Sequence, residues 1–411
     1  MKAKNQKQVK RRQFIRQMGA AGLSAAVITN PLLVWGTQTS SKIKLGLIGC
    51  GGRGTWIAGL FLKHGGYELT ALADYFPERT ESAAGKLELT SVQRFHGLSA
   101  YKRLLESGVE AVAIESPPYF HPQQAAAAVD AGVHVYLAKP VAVDVPGCMR
   151  IKESGQLAGA KKLVFLIDFQ TRTNPLFIEA LKRVHGGAIG DFAFGESSYH
   201  DGSPWRQWYD LLRSQPHNPE VRLKAWGLDR ALSGDIITEQ NIHTLDVAAW
   251  IMNGPPLYAV GSCGLSARPH IGSCADHFTC LFQYPQNVGI TFSSRQFNGY
   301  DSPGGIKNRM FGSKGVLETE YGGQVLIRGE NFYRGGGTEQ IYREGAETNI
   351  DTFYRSVTGN SFENPTVGPS VQSNLITVLG RTAAYRGERV TWQELLKDTE
   401  ELQPDLAGLR E

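Results

Sequence analysis

The chain has 411 residues, of which 41% are hydrophobic and 20% are charged, and its formal net charge at pH 7 is +4. Its first seven basic residues stand in an N-terminal stretch without any acid, so the remainder is slightly acidic. This balance excludes the strongly basic class of nucleic-acid-binding proteins. The five cysteines show no Cys-x-x-Cys spacing, which argues against a disulfide framework and a metal site. About 370 residues follow the basic segment, enough for two domains.

The first 40 residues have the pattern of an export signal. Lys10-Arg11-Arg12-Gln13-Phe14-Ile15-Arg16 precedes an acid-free, largely apolar run from Met18 to Trp35. Paired arginines with Phe two residues later are typical of a twin-arginine signal, whereas a disordered basic tail would leave the apolar run unexplained. Asn30 and Pro31 disfavour a stable membrane span. We therefore expect the twin-arginine export machinery as a partner and a periplasmic location, with membrane tethering if the signal stays uncleaved.

A glycine-rich turn follows the first apolar strand, Ile43 to Ile48. Gly49, Gly51 and Gly54 form a Gly-x-Gly-x-x-Gly pattern, and a run with helical spacing begins at Thr55. In such a turn the first glycine reverses the chain, the second lets a pyrophosphate approach the backbone, and the third lets the helix pack on the strand. The helix N-terminus then faces the phosphates. We predict that the turn, with Gly52 and Arg53 between its glycines, binds a dinucleotide.

The second apolar strand, 68–73, ends in Asp74, which lies 20 residues beyond Gly54. An acid at this distance can accept hydrogen bonds from the ribose hydroxyls of the adenosine. It also repels a 2′-phosphate, which favours NAD over NADP. The alternative is a surface turn followed by a solvated aspartate.

Strands and helices continue to alternate after Asp74. The patterns predict strands at 109–114, 134–137 and 163–167, with helices at 101–107, 122–131 and 145–159. Such alternation predicts a doubly wound parallel sheet of the Rossmann type. We assign residues 41–167 to this NAD-binding domain.

From residue 168 the pattern changes to helices at 174–184, 238–253 and 370–386, with strands in close succession between 257 and 335. This order predicts an α+β domain over 168–411 with a large, mainly antiparallel open sheet, used for substrate binding and oligomerisation. Residues 204–228 show no periodicity and are predicted as a long functional loop. Its tryptophans Trp205, Trp208 and Trp226 are either core residues or a platform for a sugar.

Four separated motifs resemble those of the Gfo/Idh/MocA oxidoreductases, and the resemblance extends from Lys42 to about Arg389. The motifs are the glycine turn with Asp74, Ser116-Pro117-Pro118-Tyr119-Phe120-His121, Ala138-Lys139-Pro140-Val141-Ala142, and the segment Gly234 to Asp246. The resemblance implies that Ser116, Pro117, His121, Lys139 and Pro140 contact the cofactor. Two positions depart from the family pattern: Ala138 replaces the usual Glu before Lys-Pro, and Glu239 replaces the usual catalytic Asp.

The third and fourth motifs supply the groups that alcohol oxidation requires. Glu239 and His243 are four residues apart and would share one face of a helix, with Asp246 three residues further on. A carboxylate beside an imidazole can move the hydroxyl proton, and the Lys139 ammonium can stabilise the developing alkoxide. We predict Lys139, Glu239 and His243 as catalytic residues.

Other interpretations of these residues stay open. The Glu-x-x-x-His-x-x-Asp pattern is also compatible with a metal site, although no further ligand cluster accompanies it. His243 is also compatible with a core position. Asp246 is either structural or catalytic, and Arg172 either contacts substrate or pairs with an acid. Arg172, Trp226 and Asp246 are our predicted substrate-binding residues.

The resemblance implies an NAD-dependent oxidoreductase acting on a secondary hydroxyl of a sugar, glycoside or cyclitol. Two alternatives are a glycoside hydrolase or lyase working by transient oxidation and elimination, and a sugar-binding protein without catalysis. Gln240 stands three residues before His243, where relatives of the hydrolytic kind have Tyr, which disfavours the first alternative. We expect a tightly held NAD, because free NAD is scarce in the periplasm, and a homo-oligomer, either a dimer or a tetramer.

Overall fold

The first part of the chain alternates strands and helices in the computed structural model, which describes residues 42–411. The predicted export signal lies outside the described residues. The elements are β1 Ile43–Ile48, α1 Gly52–His64, β2 Tyr67–Asp74, α2 Pro77–Lys86, β3 Gln93–His96, α3 Ala100–Leu105, β4 Ala111–Ile114, α4 His121–Asp130, β5 His134–Ala138, α5 Val145–Ala160 and β6 Phe165–Asp168. The six strands form one parallel sheet in the order β3-β2-β1-β4-β5-β6. This order confirms the predicted Rossmann sheet.

The sheet forms because its inner strands are apolar on both faces, whereas the edge strand β3 is partly exposed. Every residue of β4 and β6 is buried, and β1 exposes only Lys44. Strands buried on both faces require helices on both sides of the sheet, and the helices that connect successive strands provide this cover. The helix starts are set locally: Asp144, for example, caps α5 by accepting a hydrogen bond from the Gly147 amide. The carboxyl ends of the strands are therefore fixed along one edge.

The second part of the chain forms a mixed sheet covered by helices. Its elements are α6 Pro175–His185, β7 Phe192–Asp201, α7 Tyr209–Ser214, α8 Pro219–Lys224, α9 Arg230–Ser233, α10 Ile236–Glu239, α11 Ile242–Met252, β8 Tyr258–Gly264, β9 His277–Gln283, β10 Gly289–Gln296, β11 Gly305–Gly312, β12 Gly315–Glu320, β13 Gln324–Gly329, β14 Tyr333–Gly337, α12 Ile341–Thr358, α13 Val367–Arg386, β15 Val390–Thr391 and α14 Trp392–Leu395. The sheet has the order β14-β13-β12-β11-β7-β10-β9-β8-β15. Of its described strand pairs only β7 with β10 is parallel, which confirms the mainly antiparallel prediction.

Several features differ from the sequence-based assignment, which did not include α2, β3 or α12. Strand β7 was not predicted, because Gly195, Ser197 and Ser198 obscure its alternation, yet it lies near the middle of the sheet. The segment 204–228 contains the short helices α7 and α8 rather than a loop throughout. The helix predicted at 238–253 is two helices, α10 and α11, separated by Gln240 and Asn241.

Helix α13 packs back against the Rossmann sheet and holds the segment after β5. The Asn374 side chain accepts a hydrogen bond from the Val141 amide at 2.9 Å and donates one to the Ala142 carbonyl at 3.1 Å. Arg381 donates to the carbonyls of Val143 and Gly234. The end of β5 is therefore positioned by a helix from the far end of the chain. None of the helices in residues 42–411 combines the length and apolar character needed to cross a membrane.

Candidate active site

A cavity of about 420 Å³ runs along the carboxyl edge of the Rossmann sheet. Ligands of doubly wound sheets bind at this edge. Most of the predicted cofactor residues line the cavity, namely Gly49, Gly51, Gly52, Arg53, Gly54, Asp74, Ser116, Pro117 and Lys139. Glu239, Trp205 and Trp226 line it from the second part of the chain. The remaining predicted site residues are not part of this lining, namely His121, Pro140, Arg172, His243 and Asp246.

The glycine turn is built by steric necessity. Gly49 has φ +94°, and a Cβ there would lie 2.6 Å from the carbonyl carbon of Glu115. A Cβ on Gly54 would lie 1.9 Å from the Gly49 carbonyl oxygen. Gly51 is the N-cap residue of α1 and makes no side-chain cap, and the first turn of α1 contains no acid. Free amides at a helix N-terminus suit an anionic group, so the turn fits the pyrophosphate of a dinucleotide.

Asp74 is buried at the end of β2, which corrects the alternative of a solvated aspartate. Its Oδ2 accepts a hydrogen bond from the Cys50 amide at 2.8 Å, and its Oδ1 accepts one from the Phe76 amide at 2.9 Å. Burial raises the pKa of this carboxyl, against the opposing effect of Arg79. A carboxylate has about four acceptor positions, so two remain for ribose hydroxyls. Asp74 therefore joins the glycine turn to the predicted ribose site.

His121 is buried and contacts two segments that contribute to the cavity. One ring nitrogen lies 2.7 Å from the Ser116 carbonyl oxygen and the other 2.8 Å from the Pro140 carbonyl oxygen. Burial lowers the pKa of His121 to about 4. The Ser116 hydroxyl donates to Gln124 Oε1 at 2.5 Å. His121 thus joins the segment of Ser116 to that of Lys139 and Pro140. The contacts of His121 and Pro140 with the cofactor stay predictions.

Lys139 and Glu239 meet across the cavity. The Lys139 ammonium donates to the Glu239 carbonyl oxygen at 2.6 Å and to Glu239 Oε1 at 3.3 Å. Both side chains are about nine-tenths buried, at 10% and 11% exposure. Glu239 Oε2 has no hydrogen-bond partner within residues 42–411. The structure therefore brings together two of the three predicted catalytic residues.

The predicted contact between Glu239 and His243 is wrong in this structure. Helix α10 ends at Glu239 and α11 begins at Ile242, so the two residues do not share a continuous helical face. No hydrogen bond joins them among the described contacts. The Asn241 amide instead bonds to the Ile236 carbonyl at 2.9 Å, an irregular turn that separates the helices. The carboxylate of Glu239 faces Lys139, and His243 is left without it.

His243 lies close to Lys139 in a buried setting. Its Nδ1 is buried and lacks a hydrogen-bond partner among the described residues. Burial lowers the pKa of His243 well below its usual value, and the positive charges of Lys139 and Arg53 lower it further. The ring packs against Tyr321, with centroids 5.2 Å apart. His243 is therefore neutral at neutral pH, the form that can accept a proton.

Arg172 and Asp246 pair with each other. Arg172 Nε lies 3.0 Å from both carboxylate oxygens of Asp246, and its terminal nitrogen lies 2.8 Å from Oδ1. Ser373 also donates to Asp246, which is fully buried. Of the alternatives left open by the sequence, this geometry matches the structural one. The pair joins α11 to α13 and the segment after β6.

Sequence reasoning missed an acidic cluster around Arg53. Arg53 Nε lies 3.2 Å from Glu115 Oε2, its terminal nitrogens contact Asp168 and donate to the Tyr342 hydroxyl at 2.8 Å. Burial raises the pKa of Glu115 to about 7, although Arg53 opposes this effect. The signal was present, because Glu115 and Asp168 stand at the ends of two predicted strands, where acids reach the binding edge. In the segments between residues 42 and 411, no group of three or more His, Cys, Asp or Glu side chains could hold a metal.

Two aromatic rings form the wall opposite the Rossmann sheet. Trp205 and Trp226 lie with centroids 5.6 Å apart in an edge-on arrangement, and both line the cavity. Trp208 and Trp205 both pack against a cluster that includes Leu212 and Val221. The two interpretations are therefore not exclusive, because Trp205 belongs both to the cavity wall and to this cluster.

Comparison with known proteins identifies similar chains. A model described as "Oxidoreductase family, NAD-binding Rossmann fold" matches residues 43–166, and one described as "GFO/IDH/MocA C-terminal domain" matches residues 177–318. Myo-inositol dehydrogenase Hyg17 of Streptomyces leeuwenhoekii is 24% identical over 66% of this chain and 75% of its own length. Inositol 2-dehydrogenase/D-chiro-inositol 3-dehydrogenase of Lactiplantibacillus plantarum is 23% identical over 78% of this chain and 83% of its own length.

Solved structures share the fold. Scyllo-inositol dehydrogenase from Lactobacillus casei, with bound NAD(H) and scyllo-inositol, has a TM-score of 0.67 at 19% identity and covers 85% of this chain and 99% of its own. The WlbA dehydrogenase from Bordetella pertussis, in complex with NADH and UDP-GlcNAcA, has a TM-score of 0.67 at 20% identity. The match covers 85% of this chain and 98% of the WlbA chain. At these identities the likeness concerns the fold.

Proposed function

The chain belongs to the Gfo/Idh/MocA family of NAD-binding oxidoreductases, and on this premise we propose that it transfers a hydride between NAD and a secondary hydroxyl of a cyclitol, sugar or glycoside. The observation that carries the proposal is the contact between Lys139 and Glu239 in the cavity that begins at the glycine turn. The relatives named as inositol dehydrogenases support a polyhydroxylated substrate.

The residues along the first half of the cavity suit NAD. Amides at the start of α1 would hold the pyrophosphate, and Asp74 would hold the adenosine ribose through its remaining acceptor positions. When bound, the nicotinamide supplies the acceptor or donor of the hydride. The carboxylate of Asp74 supports NAD over NADP, because it would repel a 2′-phosphate.

The second half of the cavity supplies the proton chemistry. Oxidation of the alcohol removes a hydride from carbon and a proton from oxygen, leaving a ketone. The Lys139 ammonium stabilises the developing alkoxide, and neutral His243 accepts the proton. Glu239 fixes the position of Lys139 through the 2.6 Å and 3.3 Å contacts. Trp205 and Trp226 offer apolar faces to the C–H side of a sugar or cyclitol ring.

The test is a panel of cyclitols, sugars and glycosides incubated with the purified protein and NAD. An increase in NADH absorbance, together with a keto product two mass units lighter than its substrate, supports the proposal. Binding without conversion would instead support a sugar-binding protein. Redox-assisted glycoside cleavage is not proposed, since the relatives named above give it no support; release of an aglycone without net NADH would reopen it.

The export of the enzyme is a separate part of the proposal. It rests on the paired arginines and apolar run of residues 10–35. We expect the twin-arginine machinery to carry the folded, NAD-loaded protein to the periplasm. Replacing Arg11 and Arg12 by Lys should retain the protein in the cytoplasm with its NAD content unchanged. Continued export in cells lacking the twin-arginine translocase would contradict this part.

Association into a dimer or tetramer is likewise proposed through the open sheet of the second domain. Phe194 and Phe311 stack on this sheet with ring centroids 4.5 Å apart, and Phe194 is 46% exposed. Light scattering of the wild type and of a Phe194→Glu variant tests this assignment. An unchanged mass in the variant would place the interface elsewhere.

A further inference from the structure

Three neighbouring strands of the Rossmann sheet end in one row of residues. In the register of β4 and β5, Ile114 pairs with Leu137, so the next residues along, Glu115 and Ala138, are neighbours. Ala138 in turn pairs with Asp168 at the end of β6. The row therefore reads acid, alanine, acid across the edge where the cavity opens.

Arg53 spans this row. Its Nε lies 3.2 Å from Glu115 on one side of Ala138, and a terminal nitrogen contacts Asp168 on the other. The methyl group of Ala138 adds no charge between them. The position that carries a Glu in the family pattern is thus neutral, with carboxylates on the strands to either side.

The two acids of the row are not equivalent. Asp168 accepts hydrogen bonds from Gln170 and Asn349, at 2.9 Å and 2.7 Å, besides its contact with Arg53. Both oxygens of Glu115 are buried and accept no hydrogen bond from residues 42–411. Glu115 is therefore held by its ion pair with Arg53, without the well-formed hydrogen bonds that Asp168 has. A buried carboxylate compensated in this way alone is poorly stabilised, so Asp168 is the structural acid of the row and Glu115 is the candidate for a functional role.

Charged groups reach Glu115 from each element packed around it. Arg53 comes from α1, Lys139 from the end of β5 and Asp168 from β6, while Glu239 of α10 meets Lys139 and His243 of α11 lies beyond it. Tyr136 of β5 and Tyr342 of α12 are the neutral titratable groups. With Glu115 ionised these groups carry a net charge of −1, and without that charge they are neutral overall.

We propose that Glu115 is a positioning residue that supplies, from the neighbouring strand, the negative charge that residue 138 lacks. This inference rests on the proposed function. The oxidised nicotinamide ring is cationic and becomes neutral when it gains a hydride. Ionised Glu115, the form that prevails above its pKa of about 7, places a negative charge at this edge. That charge favours the oxidised cofactor over the reduced one and adds to the negative field around Lys139 and His243.

The ratio of the affinities for NAD⁺ and NADH measures this charge effect without any turnover. Both forms share the pyrophosphate and ribose contacts, so losses there cancel in the ratio. We expect Glu115→Gln to lower the preference for NAD⁺ on the order of tenfold, and Glu115→Asp to retain most of it. Tryptophan fluorescence of the purified protein, titrated with each cofactor form, provides both dissociation constants.

A matched control lies on the same strand segment. Glu110 precedes β4, at the opposite edge of the sheet, and accepts a hydrogen bond from the Lys44 amide. Glu110→Gln should leave the ratio within twofold of wild type. The double variant Glu115→Ala/Ala138→Glu moves the carboxylate to the neighbouring strand. It should restore the preference for NAD⁺ over NADH that Glu115→Ala alone loses, because the charge returns to the same row.

A second readout is the pH dependence of turnover. Loss of the negative charge should move the midpoint of the pH–rate profile of Glu115→Gln to lower pH by about one unit. An unchanged cofactor ratio and midpoint in a folded Glu115→Gln variant would overturn the inference. If Glu115→Gln does not fold, Ala138→Glu alone provides the test, because the added carboxylate should raise the preference for NAD⁺ over NADH. An unchanged ratio of the two affinities in Ala138→Glu would also overturn the inference. Failure of the wild type on every substrate would contradict only the proposed function.

Discussion

The glycine turn and the junction between α10 and α11 border the same cavity, but they are held by different means. The turn is fixed by its own backbone, since the Cβ positions of Gly49 and Gly54 fall on neighbouring atoms and Asp74 accepts the Cys50 amide. At the junction, buried side-chain atoms of Glu239, Gln240, Asn241 and His243 lack partners among the described residues. Each such atom costs about 1–3 kcal/mol when unsatisfied.

This difference indicates that the glycine turn is formed without a ligand, whereas the junction needs one to pair its buried polar atoms. A turn fixed by steric contacts, with free helix amides, is preformed for one anionic group. A junction with unsatisfied polar atoms is completed by what binds there, and a polyhydroxylated substrate has the donors and acceptors to do this. The glycine turn is therefore formed before the cofactor binds, whereas the junction depends on its ligand.

The largest effect should come from the proton chemistry at the junction. Lys139→Ala and His243→Ala should each lower turnover by on the order of 10²–10⁴-fold, because each acts mainly in the transition state. NAD affinity should change little, which separates the two halves of the cavity. The double variant should lose less than the product of the single effects.

Steady-state kinetics and NAD titration of the same preparations check this prediction. Lys161→Ala is the control, since Lys161 pairs with Asp130 near the surface and away from the cavity. Near wild-type turnover in both single variants would place the catalytic centre elsewhere.

The next effect should come from breaking the glycine turn. In Gly54→Ala the new Cβ would lie 1.9 Å from the Gly49 carbonyl oxygen, so the turn must move. We expect NAD binding to weaken by about 10–100-fold, in line with overpacking costs of about 1–3 kcal/mol. Gly52→Ala is a matched control, because no atom lies within 4 Å of its Cβ position. Equal NAD affinities of the two variants, by isothermal titration, would argue against a sterically fixed turn.

A comparable or smaller loss is expected for Asp74→Ala. Removing the carboxylate deletes the proposed ribose contacts and leaves the Cys50 and Phe76 amides without their acceptor. NAD should bind roughly 1–3 kcal/mol more weakly, and discrimination against NADP should relax. Competition between NAD and NADP for the wild type and the variant measures both effects. Tighter binding of NADP by the wild type would show that Asp74 has been misinterpreted.

The smallest effect concerns stability and pH. The pKa of His121 is lowered to about 4, against about 6.5 in an unfolded chain, so the unfolded state binds the extra proton as the pH falls below 6.5. The free energy of unfolding should therefore fall by about 1 kcal/mol through this group between pH 7 and pH 5.5. Chemical denaturation of wild type and His121→Gln across this range tests it. If the free energies of unfolding of wild type and His121→Gln depend on pH in the same way, His121 does not contribute to the pH dependence and the prediction is wrong.

Local patterns led to several residues that the fold places together. The glycine turn and Asp74 followed from sterics and strand ends, and Lys139 from the family resemblance; all of them line one cavity, while their roles stay predictions. The junction could not be predicted in the same way. The sequence from Thr238 to Asn253 has helical spacing throughout, and its interruption at Gln240 and Asn241 accompanies tertiary contacts such as that of Glu239 with Lys139.

Pairing between distant segments explains the other differences. Arg172 and Asp246 are 74 residues apart in sequence, and nothing local indicates that they meet. Glu115 and Asp168 stand at predicted strand ends, but only the register of the sheet places Ala138 between them. Strand β7 carries glycine and serines and is held by β10 and β11, which follow it by about 90 residues or more.

The contact between Asn374 and Val141 sets an order of events during synthesis. These residues are 233 positions apart, and the Asn374 side chain braces the backbone two residues after Lys139. At about 5–20 residues per second, the ribosome makes the brace roughly 10–50 s after the lysine segment. The nascent chain can thus form the Rossmann sheet while its lysine is still unsupported. Enzymatic competence would then arrive as one of the last events of biogenesis, when the penultimate helix docks.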